Sequence, residues 1–220
     1  MMQEIKILER VSLFRGIEPG DLSGMLSCLG AVSRKYLKNQ SIILAGEEVT
    51  SLGIVMAGHV QIVKDDILGN RMIVAGLSAG DIFAETFVCA GIKESPVDVY
   101  ASDNCSVLWV PIKRIISVCS NACSFHNRLI LNILELLAKK NLYLSNKMEF
   151  LSKRTIREKI MTYLGFQKEM HKSSSFVIPL NRNEMADYLC VDRSAMSREL
   201  SKLREEGVID YHKNQFHLLD

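Results

Sequence analysis

Residues 181–207 read NRNEMADYLCVDRSAMSRELSKLREEG, and this stretch decides the fold of the C-terminal part of the chain. Asn181 suits the N-cap of a short helix, and Glu184 follows three residues later, which is the spacing of a capping box. Asp192 is an N-cap candidate for a second helix, and Gly207 is placed to end that helix in the left-handed conformation. Two short helices joined by about four residues have the spacing of a helix-turn-helix.

The residues around this motif indicate what it binds. Residues 208–219, VIDYHKNQFHLL, predict a hairpin that turns at Lys213-Asn214 and forms a wing. Arginine at the start of the second helix can bond two acceptors on guanine in a major groove, and serine hydroxyls can bond bases or phosphates. The outward face of that helix carries Arg193, Ser194, Ser197, Arg198 and Lys202. A charged face of a protein-binding domain is the alternative, and the order helix-turn-helix-wing favours DNA.

A long helix is predicted immediately upstream, over residues 121–151, where glycine and proline are absent. Its apolar residues recur at alternating spacings of four and three, which is a heptad seam for a twin helix. The seam consists of Ile130, Leu134, Leu137, Asn141, Leu144 and Met148. Leu129, Ile133 and Leu136 form a second apolar line that can pack on the rest of the chain. A core helix of a monomer is the alternative, and the length of the seam favours a homodimer in which Asn141 sets the register.

Short β-branched runs punctuated by glycine occupy residues 33–111, as in SIIL, LGIVM, HVQIV and MIVAGL. Their spacing is typical of an antiparallel sandwich or barrel, with a hairpin turn expected at DDILGN. His59 is expected in the core of this region. We therefore predict an α+β chain in which residues 1–118 form the β domain, residues 119–151 the dimerisation helix, and residues 152–220 the winged helix.

Composition limits the class of protein. The chain of 220 residues is 48% apolar and 24% charged with a net charge of +2, which is ordinary for a globular protein. The sequence contains neither a continuous apolar run long enough for a membrane span nor an export signal, so we expect a cytoplasmic protein whose six cysteines are free thiols. No catalytic spacing is present, which predicts that the protein is not an enzyme.

The whole chain resembles the cyclic-AMP receptor / fumarate-nitrate regulator (Crp/Fnr) family of bacterial transcription regulators. The order of domains is the same, and DRSAMSRELSKLREEGVI is similar to the recognition helix of that family. The resemblance implies a cyclic-nucleotide-binding-type β-roll (an antiparallel double-stranded jelly roll), a homodimer on a palindromic operator, and duplex DNA and RNA polymerase as partners. It also implies base reading by Arg193, Ser194, Ser197 and Arg198. Many members have glutamate where Ser194 stands, so the operator sequence is not predicted.

The segment GDIFAETF at residues 80–87 resembles the family's phosphate-binding cassette. Glu85 matches the glutamate that accepts from ribose in members that bind a cyclic nucleotide, but Ala84 replaces a glycine. Ser95 and Pro96 replace the arginine and the hydroxyl residue that hold the phosphate, and a buried phosphate without its cation would be costly. We therefore predict that cyclic AMP is not the effector, and an empty pocket, a different small molecule or a redox signal is left open. The candidate pocket consists of Gly80, Asp81, Ala84, Glu85, Thr86, Ser95 and Pro96.

Three potential metal ligands lie close together in the sequence. Cys119, Cys123 and His126 are at helical positions i, i+4 and i+7, and thiolate and imidazole are ligands of zinc, iron and haem. The simpler interpretation is that small buried thiols fill gaps under the helix. The sequence therefore assigns no cofactor, with a metal or haem as the alternative.

Overall fold

The computed structural model describes residues 6–65, 71–117 and 124–219. Contacts divide the chain into two compact units, Met1–Ala138 and Lys139–Asp220. The division falls inside the long helix, whose two ends contribute side chains to different cores. The predicted domain boundaries at residues 118 and 151 stay predictions.

Two antiparallel sheets form the body of the first unit. One sheet has the strand order β1-β8-β3-β6 and the other has the order β2-β7-β4-β5. The strands are β1 (Val32–Tyr36), β2 (Ser41–Ile43), β3 (Ser51–Ala57), β4 (Val60–Asp65), β5 (Arg71–Leu77), β6 (Ile82–Phe83), β7 (Asp98–Ala101) and β8 (Cys105–Pro111). Their buried β-branched and leucine side chains belong to one core. The predicted β-roll is confirmed, and most of the expected DDILGN turn, residues 66–70, lies outside the described residues.

Close packing inside this unit requires glycine at Gly53 of β3. A Cβ atom at that position would lie 2.3 Å from the ring of Phe83 on the neighbouring strand β6. The ring of Phe83 also meets Trp109 edge-on, with 5.5 Å between ring centroids. The glycine therefore leaves room for the end of the Phe83 ring against the backbone of β3.

Helices cover the ends of the first unit: α1 (Pro19–Leu29), α2 (Glu85–Cys89), α3 (Ile112–Ile116) and the long α4 (Ser124–Ser152), preceded by a 3₁₀ turn at Ser12–Phe14. The described part of α4 agrees with the predicted long helix. Leu129 and Ile133 are buried in the core of the unit, and Leu136 packs against it. The second apolar line of the helix therefore packs on the β domain, as expected.

A polar strap holds the N-terminal segment on α4. The amide of Asn132 is buried, and its Nδ2 donates to the carbonyl oxygens of Leu13 at 2.8 Å and Arg15 at 2.9 Å. Arg15 also forms an ion pair with Glu135, one turn further along the helix. A single side chain thus satisfies two carbonyl groups that the 3₁₀ turn leaves open.

The second unit is a three-stranded sheet packed with three helices and the end of α4. Its elements are α5 (Ile156–His171), β9 (Ser175–Val177), α6 (Arg182–Leu189), α7 (Arg193–Glu205), β10 (Ile209–His212) and β11 (Gln215–Leu218), with the sheet order β10-β11-β9. The helices α6 and α7 form the predicted helix-turn-helix, and β10 and β11 form the predicted wing hairpin around Lys213-Asn214. The fold class is confirmed.

The predicted helix signals of this unit are confirmed atom by atom. Asn181 Oδ1 accepts from the backbone N–H of Glu184 at 3.0 Å, and Glu184 Oε2 accepts from the N–H of Asn181 at 2.7 Å. Gly207 follows α7 with φ of +72°. These caps are local, which explains why sequence spacing predicts them.

The prediction that His59 lies in the core is wrong. His59 follows Gly58, whose φ of +74° turns the chain between β3 and β4, and the imidazole is 65% exposed. Its Nδ1 lies 2.7 Å from Asp103 Oδ2. Hydrogen bonds from His59, first from the side chain and then from the backbone, hold the pKa of Asp103 below its usual value. The residue belongs to a turn, where strand alternation no longer decides which side chains are buried.

Candidate nucleic-acid interface

The N-terminus of α7 is capped by Asp192. Its Oδ1 accepts from the backbone N–H of Ala195 at 2.8 Å and from Ser194 Oγ at 2.6 Å. These bonds, the one from the Ser194 hydroxyl first, lower the pKa of Asp192. The hydroxyl of Ser194 is therefore engaged in the cap, and a contact with a base would require it to exchange this bond.

The turn between α6 and α7 uses a residue in the left-handed conformation. Cys190 has φ of 50° and ψ of 57°, and the next backbone N–H, from Val191, donates to the carbonyl of Ala186 at 3.0 Å. This 6→1 bond ends α6 in the Schellman manner without a glycine. The turn between the two helices is consequently only three residues long, from Cys190 to Asp192.

One face of α7 is buried and the other is accessible. Met196, Leu200 and Leu203 lie in the core of the unit. The accessible side carries the predicted base-reading residues: Arg193, Ser194, Arg198 and Lys202 are exposed and Ser197 is half-buried. All five predicted side chains thus share the side of the helix that a nucleic acid could reach, and their individual roles stay predictions.

Ion pairs brace α7 against its neighbours. Arg157 on α5 contacts Glu206 at 2.5 Å and Glu199 at 3.5 Å. The hydrogen bond from Arg157 lowers the pKa of Glu206 and raises that of the guanidinium. Arg204 contacts Asp210 on β10 at 2.9 Å. Partly exposed pairs of this kind contribute little to the free energy of unfolding.

The wing is anchored to the body of the unit through its aromatic side chains and through its turn. The guanidinium of Arg182 lies 4.8 Å from the ring centroid of Tyr211 and 4.9 Å from that of Phe216, and burial lowers its pKa. The backbone N–H of Ile178 donates to the carbonyl of Asn214 at 2.9 Å, and Asn214 Nδ2 donates to the carbonyl of Ile178 at 3.1 Å. The cation of Arg182 therefore packs on the wing's aromatic rings.

The cassette-like segment of the first unit contains one strained residue. Ala84 has φ of 63° and ψ of −6°, a left-handed conformation that favours glycine. Glu85 is buried, and its Oε1 accepts from Thr86 Oγ1 at 3.0 Å. Asp81 Oδ2 accepts from the backbone N–H of Ser78 at 2.8 Å and so closes the turn that precedes the cassette.

The segment in which Ser95 and Pro96 replace the family's phosphate-holding residues is closed on itself. Ser95 is buried, and its hydroxyl donates to the carbonyl of Val97 at 2.7 Å. Pro96 between them is exposed, and Gly80 has a φ of +100° that suits only glycine. Ser95 therefore has no free donor to offer to an anion.

The predicted seam of α4 is accessible along most of its length. Leu134 is 57% exposed, Leu144 56% and Met148 71%. Asn141 is exposed as well, and Ile130 and Leu137 are half-buried. A row of large apolar side chains on a helix that already buries another face indicates a surface for a partner.

The predicted metal ligands are described only in part. His126 is buried, with Nε2 3.2 Å from the carbonyl oxygen of Arg114, while Cys119 and Cys123 lie outside the described residues. Within the described ranges no three His, Cys, Asp or Glu side chains are grouped as a metal would require. The cysteines described there, Cys28, Cys89, Cys105 and Cys190, are free thiols.

Sequence reasoning missed two polar or aromatic groups on α4. One is Asn132, whose partners lie more than 100 residues away. The other is the stripe of Tyr143, Lys147 and Phe150, which contacts Tyr188 within the second unit. The stripe has a helical spacing of four and three that the sequence displays, but the apolar seam dominates the same stretch.

Both units match known domain families. Residues 33–122 match the family model of the cyclic nucleotide-binding domain, and residues 158–220 match that of the Crp-like helix-turn-helix domain. Of the helices in the described ranges, none combines the length and apolarity needed to cross a lipid bilayer.

Known relatives and solved structures agree with these matches. The transcriptional activator protein FnrL of Cereibacter sphaeroides is 26% identical over 186 residues, which cover 80% of this chain and 71% of that protein. The catabolite activator protein of Thermus thermophilus has a similar fold, with a TM-score of 0.56 and 21% identity over 94% of this chain and 93% of that one. OCPA-complexed CprK has a TM-score of 0.58 and 16% identity over 91% of each chain. The helix-turn-helix with its accessible basic face is thus the DNA-binding domain of a transcription regulator, a non-enzymatic class, and the chain belongs to the Crp/Fnr family.

Proposed function

We propose that the protein regulates transcription as a homodimer that pairs along the seam of α4 and binds a palindromic operator. The observation that carries the proposal is the exposure of the seam, because large apolar residues such as Leu134, Leu144 and Met148 need a partner of matching periodicity. A twin helix supplies that periodicity. It also brings two copies of α7 to successive major grooves, about one helical turn apart.

Arg193, Ser194, Ser197 and Arg198 read bases in this proposal, and Lys202 contacts the phosphate backbone further along the groove. The support is their common placement on the accessible side of α7. Ser194 and Asp192 act as a unit, since the hydroxyl already bonds the cap carboxylate. RNA polymerase is the further protein partner, and the cytoplasm is the compartment in which both partners occur.

The effector of the β-roll is not cyclic AMP in this proposal. Ser95 stands where a cation would neutralise the cyclic phosphate, and its hydroxyl is bonded to Val97. The strained Ala84 adds a methyl group where the close backbone approach to a phosphate favours glycine. We expect millimolar cyclic AMP to leave unchanged the urea midpoint reported by Trp109 fluorescence. A bound ligand at 100 times its Kd would add about 2.7 kcal/mol to the free energy of unfolding.

DNA reading is tested with Arg193→Ala and Arg198→Ala. The probe is a duplex that the wild-type protein selects from a randomised library. Loss of one bidentate arginine contact costs about 1–3 kcal/mol, so each variant should bind that duplex about 5- to 150-fold more weakly. Arg10→Ala removes an exposed charge from the first unit and serves as the matched control. Unchanged affinity in both α7 variants would show that α7 does not read the operator, whereas a wild-type protein that selects no duplex would favour a winged helix that contacts protein.

Dimerisation is tested independently by sedimentation. Leu144→Glu and Met148→Glu place like charges on both sides of the twin seam, and we expect the double variant to sediment as a single chain. Met170→Glu changes an equally exposed methionine on α5 and should leave the dimer mass intact. A dimer that persists in the seam variant would exclude α4 as the interface.

A further inference from the structure

The end of α4 carries an aromatic stripe that lies off the seam. Tyr143, Lys147 and Phe150 are spaced by four and three residues, so they share one face of the helix. None of them occupies a seam position. This face points into the unit Lys139–Asp220, where it meets the first helix of the helix-turn-helix.

Phe150 ties α4 to the core of that unit. The side chain is buried, and its ring centroid lies 5.8 Å from that of Tyr163, 5.9 Å from Phe166 and 6.0 Å from Tyr188. The rings of Tyr163 and Phe166 cross it edge-on, in the arrangement that aromatic pairs prefer. The last turns of α4 are therefore a packed part of the DNA-binding unit.

Tyr188 completes the contact from the other side. It lies on α6, two residues before the Cys190 that begins the turn leading into α7. Its ring centroid is 6.1 Å from Tyr143 and 5.6 Å from Tyr163, and Lys147 Nζ lies 5.6 Å from its ring. Burial raises the pKa of Tyr163 to about 12 and also raises that of the half-buried Tyr188.

We propose that this aromatic bracket, formed by Tyr143, Phe150, Tyr163 and Tyr188, fixes the angle between α4 and the helix-turn-helix and thereby selects the spacing between the two operator half-sites. Tyr143 and Tyr188 are the positioning residues, and they act through α7 without touching DNA. The inference rests on the proposed homodimer, because spacing is defined only when two copies of α4 are joined.

The geometry of B-form DNA makes spacing sensitive to this angle. One added base pair moves a half-site by about 3.4 Å and rotates it by about 34° around the duplex. A rigid bracket leaves the two α7 helices unable to follow such a change. When the rings are replaced by a smaller, flexible side chain, the helix-turn-helix can tilt and seat on either spacing.

The test compares Tyr143→Leu and Tyr188→Leu with Tyr143→Phe and Tyr188→Phe, which keep the rings and lose only the hydroxyls. The probes are the duplex selected by the wild-type full chain and two derivatives with one base pair added or removed at the centre. We expect the wild type and both Phe variants to bind the altered duplexes at least about tenfold more weakly than the selected one. In the Leu variants this discrimination should fall to about threefold or less, while the dimer mass stays unchanged.

Two outcomes would overturn the inference. Equal weakening on all three duplexes in the Leu variants would mean that the rings only stabilise the fold, and wild-type discrimination in both Leu variants would mean that the angle is set elsewhere. Because Tyr143 is 51% exposed, its variant should fold even if Tyr188→Leu does not. A monomer by sedimentation, or the recovery of no duplex by the wild type, contradicts the proposed function itself and is separate from these results.

Discussion

Replacing Asn132 by leucine should destabilise the first unit strongly, because it removes two hydrogen bonds while keeping the size of the side chain. Asn132 Nδ2 is the donor to the carbonyls of Leu13 and Arg15, and the bond to Leu13 is fully buried. A buried carbonyl left without a donor costs about 1–3 kcal/mol, and the partly exposed one costs about 0.5–1.5 kcal/mol. The expected loss in the free energy of unfolding is thus about 2–4 kcal/mol.

The only tryptophan of the chain makes this loss measurable in one unit. Trp109 lies on β8 and donates from Nε1 to Tyr36 Oη at 3.0 Å, so its fluorescence reports the β-roll. With a urea dependence of about 2 kcal/mol per molar, the middle of the usual range, the midpoint should fall by about 1–2 M. Asn127→Leu makes the same change at an exposed position of α4 and should shift the midpoint little. Equal midpoint shifts in Asn132→Leu and Asn127→Leu would show that the hydrogen bonds of the Asn132 strap do not stabilise the unit.

Three further positions give separate predictions. Ala84→Gly should raise the free energy of unfolding by about 0.5–1 kcal/mol in the Trp109 assay, because glycine adopts the left-handed conformation without a Cβ penalty; no gain would contradict the strain. Gly53→Ala should lower it by about 1–3 kcal/mol, because the new Cβ would lie 2.3 Å from the ring of Phe83, and an unchanged midpoint would mean that the ring moves aside freely. Hydrogen bonds lower the pKa of Asp192, so its carboxylate stabilises the fold above its unfolded pKa of about 3.9, and this stabilisation is lost as the pH falls through the lower folded value. The free energies of unfolding of the wild type and of Asp192→Ala are followed by near-ultraviolet tyrosine signals. The difference between them should therefore shrink below about pH 4, and a constant difference would exclude the charged cap.

Local signals explain most of what the sequence predicts correctly. The N-caps at Asn181 and Asp192 and the left-handed Gly207 depend on residues three or four positions away, so their spacing is visible in the chain. The antiparallel sheets follow from alternating β-branched residues between turns. The exposed basic face of α7 follows from the same helical period that buries Met196 and Leu200.

Contacts between distant residues explain what was missed. The partners of Asn132 are separated from it by 117 and 119 residues, and no period within α4 reveals them. The exposed position of His59 depends on the turn at Gly58 and on an acid 44 residues away. Tertiary contacts of this kind decide where a polar side chain lies, and they override the local sequence pattern. The pattern indicates only that a polar residue interrupts an apolar run.

Three different faces of α4 pack on the β-roll, pack in the DNA-binding unit and carry the seam. Near the start of α4, Leu129 is buried in the core of the β-roll unit and Asn132 bonds to the carbonyl of Leu13. Near the end of α4, Phe150 is buried in the core of the DNA-binding unit. The seam residues, such as Leu144, take part in neither core. On the proposed arrangement, substitutions at the seam should abolish dimerisation, and leucine at Tyr143, the exposed member of the bracket, should change which operators are accepted and leave the dimer mass unchanged.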